Sequence, residues 1–179
     1  MSRIRVPFDT YFAQLCRALE SGGALLVSAD ERSRPNAMTI GWAQLGLIWG
    51  LPICTVLVRP SRYTYGCCNA TGDFTVNVPY TDHADEALLC GTRSGRDLDK
   101  MAECGFTAVP AHTPGLHSPY IAECGLVYEC RTVLTAEVDP SLLAAEIRSS
   151  CYPQGDFHRL FYGEVLAVHA DADFDARFG

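Results

Sequence analysis

Among 179 residues the chain holds a single lysine, Lys100, so nearly all of its positive charge is arginine. It has no apolar run approaching the roughly 18 to 20 residues of a membrane span. No secretory leader is expected either, because Met1-Ser2-Arg3-Ile4-Arg5-Val6-Pro7 reaches charge and a proline before an apolar core can form. A cytoplasmic location, with no membrane partner, is the expectation. Nine cysteines are present without one Cys-x-x-Cys pair, and the count is odd. That excludes a regular disulfide framework or zinc ribbon and suggests small apolar side chains in a reducing compartment. The five histidines show neither His-x-x-His nor His-Glu-x-x-His spacing, so no metal site is expected. Also missing are the Gly-x-Gly-x-x-Gly and Gly-x-x-x-x-Gly-Lys-Ser/Thr loops that cradle phosphates, and the Gly-x-Ser-x-Gly elbow of a serine nucleophile.

What is present is an ordinary globular balance, 48% hydrophobic and 20% charged, in a length that fits one domain, residues 1–179. A net charge of -7 argues against nucleic acid as a partner. The cations nevertheless gather, with Arg59, Arg62, Arg93, Arg96 and Lys100 in two short blocks. Such local charge in an acidic chain suggests a small anionic ligand; a solvated basic face is the alternative.

Periodicity predicts a mainly β protein with helices (α+β). An amphipathic helix is expected from Phe8, Phe12, Leu15 and Leu19, with Asp9 as its cap and Gly22-Gly23 as its stop. Strands are expected over 24–29, 37–48 with bends at Gly41 and Gly46, 53–58, 74–78, 126–138 and 161–170. Short helices are expected over 61–70, 82–89, 97–103 and 141–149, and an irregular loop over 106–122. Six or seven largely antiparallel strands with helical excursions point to a β-barrel rather than to a Rossmann alternation.

The chemistry concentrates between Asn36 and Thr64. Asn36-Ala37-Met38-Thr39-Ile40-Gly41-Trp42 is β-rich and carries only uncharged polar groups. Arg59-Pro60-Ser61-Arg62-Tyr63-Thr64 ends a strand with two guanidinium forks and three hydroxyls at the start of a helix, whose free amides favour an anion. A second block, Cys90-Gly91-Thr92-Arg93-Ser94-Gly95-Arg96-Asp97-Leu98-Asp99-Lys100, adds further cations. Cys67-Cys68 just after the first block is a candidate redox pair or a pair of buried thiols.

These two blocks, with Gly163-Glu164-Val165 near the end, resemble the flavin reductase-like family of FMN-binding split barrels, in particular its flavoredoxin-like branch. The resemblance implies an antiparallel split barrel, bound FMN, and an oxidoreductase that passes electrons from NADH or NADPH, or from a protein donor, to flavin, ferric iron or another small-molecule acceptor. An FMN-binding electron carrier without nicotinamide reductase activity is the alternative. A homodimer and an electron-transfer protein partner are further implications. By the same resemblance Arg59, Ser61, Arg62 and Thr64, with the hydroxyl of Tyr63, fall at the phosphate end, and Asn36, Ala37, Met38 and Thr39 lie along the isoalloxazine edge. Met38 and Trp42 are apolar neighbours of the ring or ordinary core. Ser94, Gly95, Arg96 and Lys100 approach the cofactor directly or across a dimer interface, or else form a capping turn before Asp97. His158, in Gly155-Asp156-Phe157-His158, is similar to the Gly-Asp-His that precedes the last strand in related flavin reductases, with a Phe inserted, and is the catalytic candidate.

Overall fold

Ala24–Ala29 reads as a mostly apolar run, and the reason is that this strand is buried on both faces. In the computed structural model, which describes residues 2–178, it is β2 of a chain ordered as β1 (Arg3–Arg5), α1 (Phe12–Ser21), β2, β3 (Pro35–Ile40), β4 (Ala43–Ile48), β5 (Leu51–Val58), α2 (Tyr63–Thr71), β6 (Asp73–Val78), α3 (Ala84–Thr92), α4 (Lys100–Glu103), β7 (Ala108–Val109), β8 (Tyr120–Ile121), β9 (Leu126–Glu137), α5 (Ala145–Cys151), β10 (Arg159–Asp171) and α6 (Phe174–Phe178). Leu26 of β2 faces the interior with Met38, Val56, Phe74, Tyr128 and Phe161. Leu25 and Val27 face outward into a second apolar layer with Ala37, Ala87, Cys90, Met101 and Ile121. No helix among the described residues is long and apolar enough to cross a membrane.

The eight-stranded sheet runs β3-β2-β6-β9-β10-β5-β4, with β1 added on β10, and every pair is antiparallel. It is not closed on itself, and the fold is the expected split barrel. The long β10 explains the opening. Along one edge it pairs with β5 from Arg159 to Glu164 and with β1 from His169 to Asp171. Along the other it follows β9 through two register shifts, at Tyr162/Gly163 and Val165/Ala167. Such irregularities let a long strand coil. Gly163 lies at the first of them because a Cβ there would stand 2.5 Å from the Phe74 ring.

Several local expectations are refined. Residues 37–48 form two strands rather than one bent strand, since the chain leaves β2 at Gly41-Trp42 and continues as the partner of β5. The turn back is Trp49-Gly50, with φ of 56° and 73°, the paired left-handed conformation of a two-residue hairpin. Pro52 then lies inside β5, where it faces Leu47 but lies beyond the stretch paired with β10, so its missing N–H costs no ladder bond there. Helix α1 begins at Phe12, capped by Tyr11 without a side-chain bond; Asp9 serves through its carbonyl, which accepts from Phe12 N–H at 3.2 Å. The 106–122 loop carries one short ladder, β7 with β8.

Candidate functional site

β3 brings Asn36 to Ile40 to the rim of the barrel, β5 ends at Val58, and the turn from Arg59 to Arg62 opens α2. Between them lies a cleft of about 210 Å³ lined by Met38, Thr39, Ile40, Gly41, Trp42, Leu57, Arg59, Arg62 and His158. A second hollow of about 300 Å³ shares the same stretch of chain and is lined by Asn36, Tyr63, Gly95, Arg96 and Lys100 among others. Of the residues singled out from the sequence, Asn36, Met38, Thr39, Trp42, Arg59, Arg62, Tyr63, Gly95, Arg96, Lys100 and His158 line these two hollows, while Ala37, Ser61, Thr64 and Ser94 do not.

Arg62 is the group left available. Its backbone N–H closes a turn on the Arg59 carbonyl at 3.0 Å, but among the described residues its guanidinium has no hydrogen bond or ion pair. Helix α2 begins at that point without a side-chain cap, and the amides of Tyr63 and Thr64 have no backbone acceptor. A helix start leaves such amides free unless something caps them, and here a guanidinium stands beside them. This is the donor set that an anionic group needs.

Its neighbours are more committed than the sequence suggests. Arg59 donates to the carbonyls of Cys151 at 2.8 Å and Asp156 at 3.0 Å and lies 5.0 Å over the Tyr152 ring. It thus pins the segment that carries His158, and its donors are occupied there. Ser61 gives both its backbone N–H, at 3.3 Å, and its hydroxyl to the carboxylate of Asp156, a residue with a φ of 56°. Thr64 Oγ1 is buried and accepts from Asn36 Nδ2 at 2.8 Å, joining β3 to α2. Tyr63 donates to Asp30 at 3.1 Å. Bonds from the Arg34 backbone and other neighbours hold the Asp30 carboxyl well below the usual carboxylate range.

Thr39 turns its hydroxyl away from the cleft to the Ala87 carbonyl of α3, so it meets the cleft through the rest of the residue. Met38 is at once core and cleft wall, and Ala37 packs wholly into the second apolar layer. Trp42 is 44% exposed and meets the His158 ring at 5.1 Å, so it belongs to the cleft rather than to the interior.

The second block is a bracket. Gly95 is required because a Cβ would stand 2.0 Å from Asn36 Oδ1 and 2.7 Å from the Tyr63 ring. Ser94 Oγ accepts from the Arg96 amide at 3.2 Å, and Arg96 reaches the Ser61 carbonyl at 2.9 Å. Lys100 is buried, and its Nζ donates to the carbonyls of Ala37 at 3.0 Å and Cys90 at 2.8 Å. Burial pushes its pKa down, and the charge of Arg62 acts in the same direction. It ties β3 to α3 from behind instead of projecting into the cleft. Ser94 to Asp97 closes a turn, with Asp97 N–H on the Ser94 carbonyl at 3.1 Å, but it caps no helix: the helix expected from 97 begins at Lys100, where Asp99 is the cap and accepts from the amides of Met101 and Ala102.

His158 is nearly buried, and its Nδ1 pairs with the Tyr152 hydroxyl at 2.8 Å. Burial, then the charge of Arg59, lower its pKa to about 4. It is therefore a neutral ring at the cleft wall, able to hydrogen-bond but uncharged near neutrality. Cys67 and Cys68 are buried thiols raised to about 11 and about 12 by burial, so both stay protonated near neutral pH and pack as small apolar side chains. Tyr152 carries no site signal in the sequence, and Asp30 offers only its turn spacing to Arg34. Asp156 appears there only as part of the Gly155-Asp156-Phe157-His158 motif, without its contact to Ser61, which spans 95 positions.

Comparison with known proteins agrees with this architecture. The model of the flavin reductase like domain matches residues 17–177. An uncharacterised protein of Aeropyrum pernix is 29% identical over 151 residues, 84% of this chain and 50% of its own length, so the chain spans half of that curated relative. Among solved structures, the flavoredoxin of Methanosarcina acetivorans is 27% identical with a TM-score of 0.67, covering 84% of this chain and 69% of its own. Flavoredoxin of Desulfovibrio vulgaris (Miyazaki F) is 25% identical with a TM-score of 0.66, at the same coverages.

Proposed function

Because the chain belongs to the flavin reductase like family, we propose that it is an FMN-binding oxidoreductase, taking electrons from NADH or NADPH or from a protein donor and delivering them to a small acceptor. The observation that carries the reading is Arg62, an unpaired guanidinium beside the uncapped start of α2. It suits the dianionic phosphate of FMN, and the Tyr63 and Thr64 amides would share that charge. The edge of β3 from Asn36 to Thr39 would run beside the isoalloxazine, with Trp42 as an apolar wall. When bound, FMN supplies the hydride and electron chemistry itself.

The chain's own residues bind and orient. Lys100 and Gly95 hold β3 against α3 and α2, so that the rim keeps its shape. Arg59 fixes the 151–156 segment and thereby places His158. As a neutral ring, His158 would hydrogen-bond to substrate or nicotinamide without adding charge. A second copy of the chain would find Leu47 at 67% and Trp49 at 63% exposed on the β4–β5 hairpin, apolar surface suited to a homodimer, and sedimentation of wild type against Trp49→Ser tests that.

A second reading, an FMN-binding electron carrier, is favoured by the likeness to the two flavoredoxins. Purification without added flavin, a visible spectrum, and anaerobic titration with NADH and NADPH separate the two. Bleaching of the flavin band by either nucleotide supports the reductase. A flavin band that neither nucleotide bleaches leaves the carrier. A colourless protein that refuses added FMN overturns both.

A further inference from the structure

The irregular loop between β7 and β8 is held down by two buried carboxylates, and one of them sits in an unusual setting. Glu129 of β9 is completely buried. It accepts from the amides of His112 at 2.7 Å and Thr113 at 2.9 Å, from the Thr113 hydroxyl, and shares Oε1 with His112 Nδ1 at 3.1 Å. No arginine or lysine lies within ion-pair distance of it among the described residues, and only His112 and His169 do so. A buried carboxylate without a fixed cation calls for positive charge from somewhere.

His169 stands on the neighbouring strand. Glu129 faces Ala167 and Val127 faces His169 in the β9–β10 register, so the two side chains project from the same face on a diagonal. Its Nδ1 is buried and has no hydrogen-bond partner among the described residues, lying 3.8 Å from Glu129 Oε1, too far for one. An orphaned ring nitrogen aimed at a carboxylate is a ligand atom without a ligand.

We propose that His112, Glu129 and His169 form a binding site for a divalent transition-metal ion of zinc type. Their three ligand atoms all lie within 4.8 Å of one another. Zinc bonds of about 2.0–2.2 Å in a tetrahedron place ligands about 3.3 Å apart, so the site closes with small movements. Two imidazoles and one carboxylate match that class of ion. The movement falls on His112. Its ring is stacked on His169 with centroids 4.0 Å apart and must tilt away to bring both nitrogens onto one ion. The tilt also gives up its stacking on Tyr120, 5.1 Å away, and its side chain is 42% exposed on a loop, so that water completes the coordination from the open side. Both rings bind neutral; His112 Nδ1 exchanges its bond to Oε1 for the metal, and its proton resides on Nε2. The ion staples the 110–119 loop to β9 and β10.

The test is equilibrium dialysis of chelator-treated protein against zinc chloride, with thermal melting in parallel. The protein is wild type, His112→Ala, His169→Ala, and His117→Ala as a control from the same loop. Wild type and the control should take up one ion per chain and melt higher with zinc, as a ligand of the native state requires. Both His112→Ala and His169→Ala should bind more than about tenfold more weakly, with no rise in melting temperature. His112→Ala removes an exposed side chain and should fold, so loss of binding there is not loss of structure. No stoichiometric uptake by the wild type, or uptake and melting unchanged in either His112→Ala or His169→Ala, overturns the proposal. The readouts do not involve flavin and stand apart from the reading of the cleft.

Discussion

Charge is treated in opposite ways in two regions of this molecule. Around the 106–122 loop the charges at issue are carboxylates, and both are buried. Asp73 accepts from the amides of His117 at 2.7 Å and Ser118 at 2.9 Å, while Glu129 accepts from those of His112 and Thr113. Around the cleft the charges are cations. Lys100 and Arg59 are consumed by backbone carbonyls, and Arg62 is left without a partner. Backbone bonds that consume a charge make a lock, because they fix a loop or a strand; Asp73, Lys100 and Arg59 are spent in this way, whereas Glu129 keeps the open imidazole nitrogen of His169 beside it. A charge that the fold surrounds with scaffolding but does not neutralise is where a ligand belongs.

Glu129 carries the largest expected effect. Replacing it with Ala strands two amides and a hydroxyl that are part-buried, each worth toward the lower end of about 1–3 kcal/mol when unmet, so a loss of about 4 kcal/mol is expected in urea unfolding of the metal-free protein. A loss under about 1 kcal/mol would show that the loop does not depend on this carboxylate. Arg62→Ala makes the converse case. Its unfolding midpoint should stay near that of the wild type, since the guanidinium supports no other residue. FMN affinity should fall by about 100-fold, the loss of roughly 3 kcal/mol of charge-assisted bonding. Full retention of FMN by this variant would remove Arg62 from the phosphate end.

Lys100→Met sharpens the distinction within the cleft itself. The carbonyls of Ala37 and Cys90 lose their donor, while a costly buried charge disappears. The net expectation is a loss of about 2 kcal/mol in unfolding, with FMN affinity lowered only as far as β3 loosens. If the variant instead keeps its stability and loses FMN as strongly as Arg62→Ala, Lys100 is a direct ligand and the lock interpretation of it fails.

How much of this the sequence disclosed follows from where the contacts run. Strand alternation and the two cationic blocks are local, and they placed the barrel and the cleft. The roles of individual cations were not legible, because what distinguishes Arg59 from Arg62 is the carbonyls of residues 151–156, nearly a hundred positions on. Strand β1 was invisible for a related reason: three residues have no period, and their pairing with 169–171 joins the two ends of the chain. The His112, Glu129 and His169 cluster likewise draws on a loop and two strands, so the absence of a His-x-x-His pattern said nothing about it.

The smallest expected effect concerns His158, and it probes the field of the cleft directly. Its pKa is about 4 in the folded protein against an ordinary value of 6.5. The unfolded chain therefore takes up the proton first as pH falls, and stability drops between 6.5 and about 4, then levels off. Solvent still reaches the ring, so the drop attributable to it should be about 1 kcal/mol. It is measured as the difference between wild type and His158→Asn in urea unfolding across that window, in which the contributions of His169 and the other shared groups cancel. Arg59 and Arg62 both lower this pKa, so an anion seated beside Arg62 must raise it. FMN should therefore shrink the difference between wild type and His158→Asn across that pH window. A difference unchanged by FMN at saturation would put the phosphate elsewhere, because a dianion beside Arg62 cannot leave the adjoining imidazole unaffected.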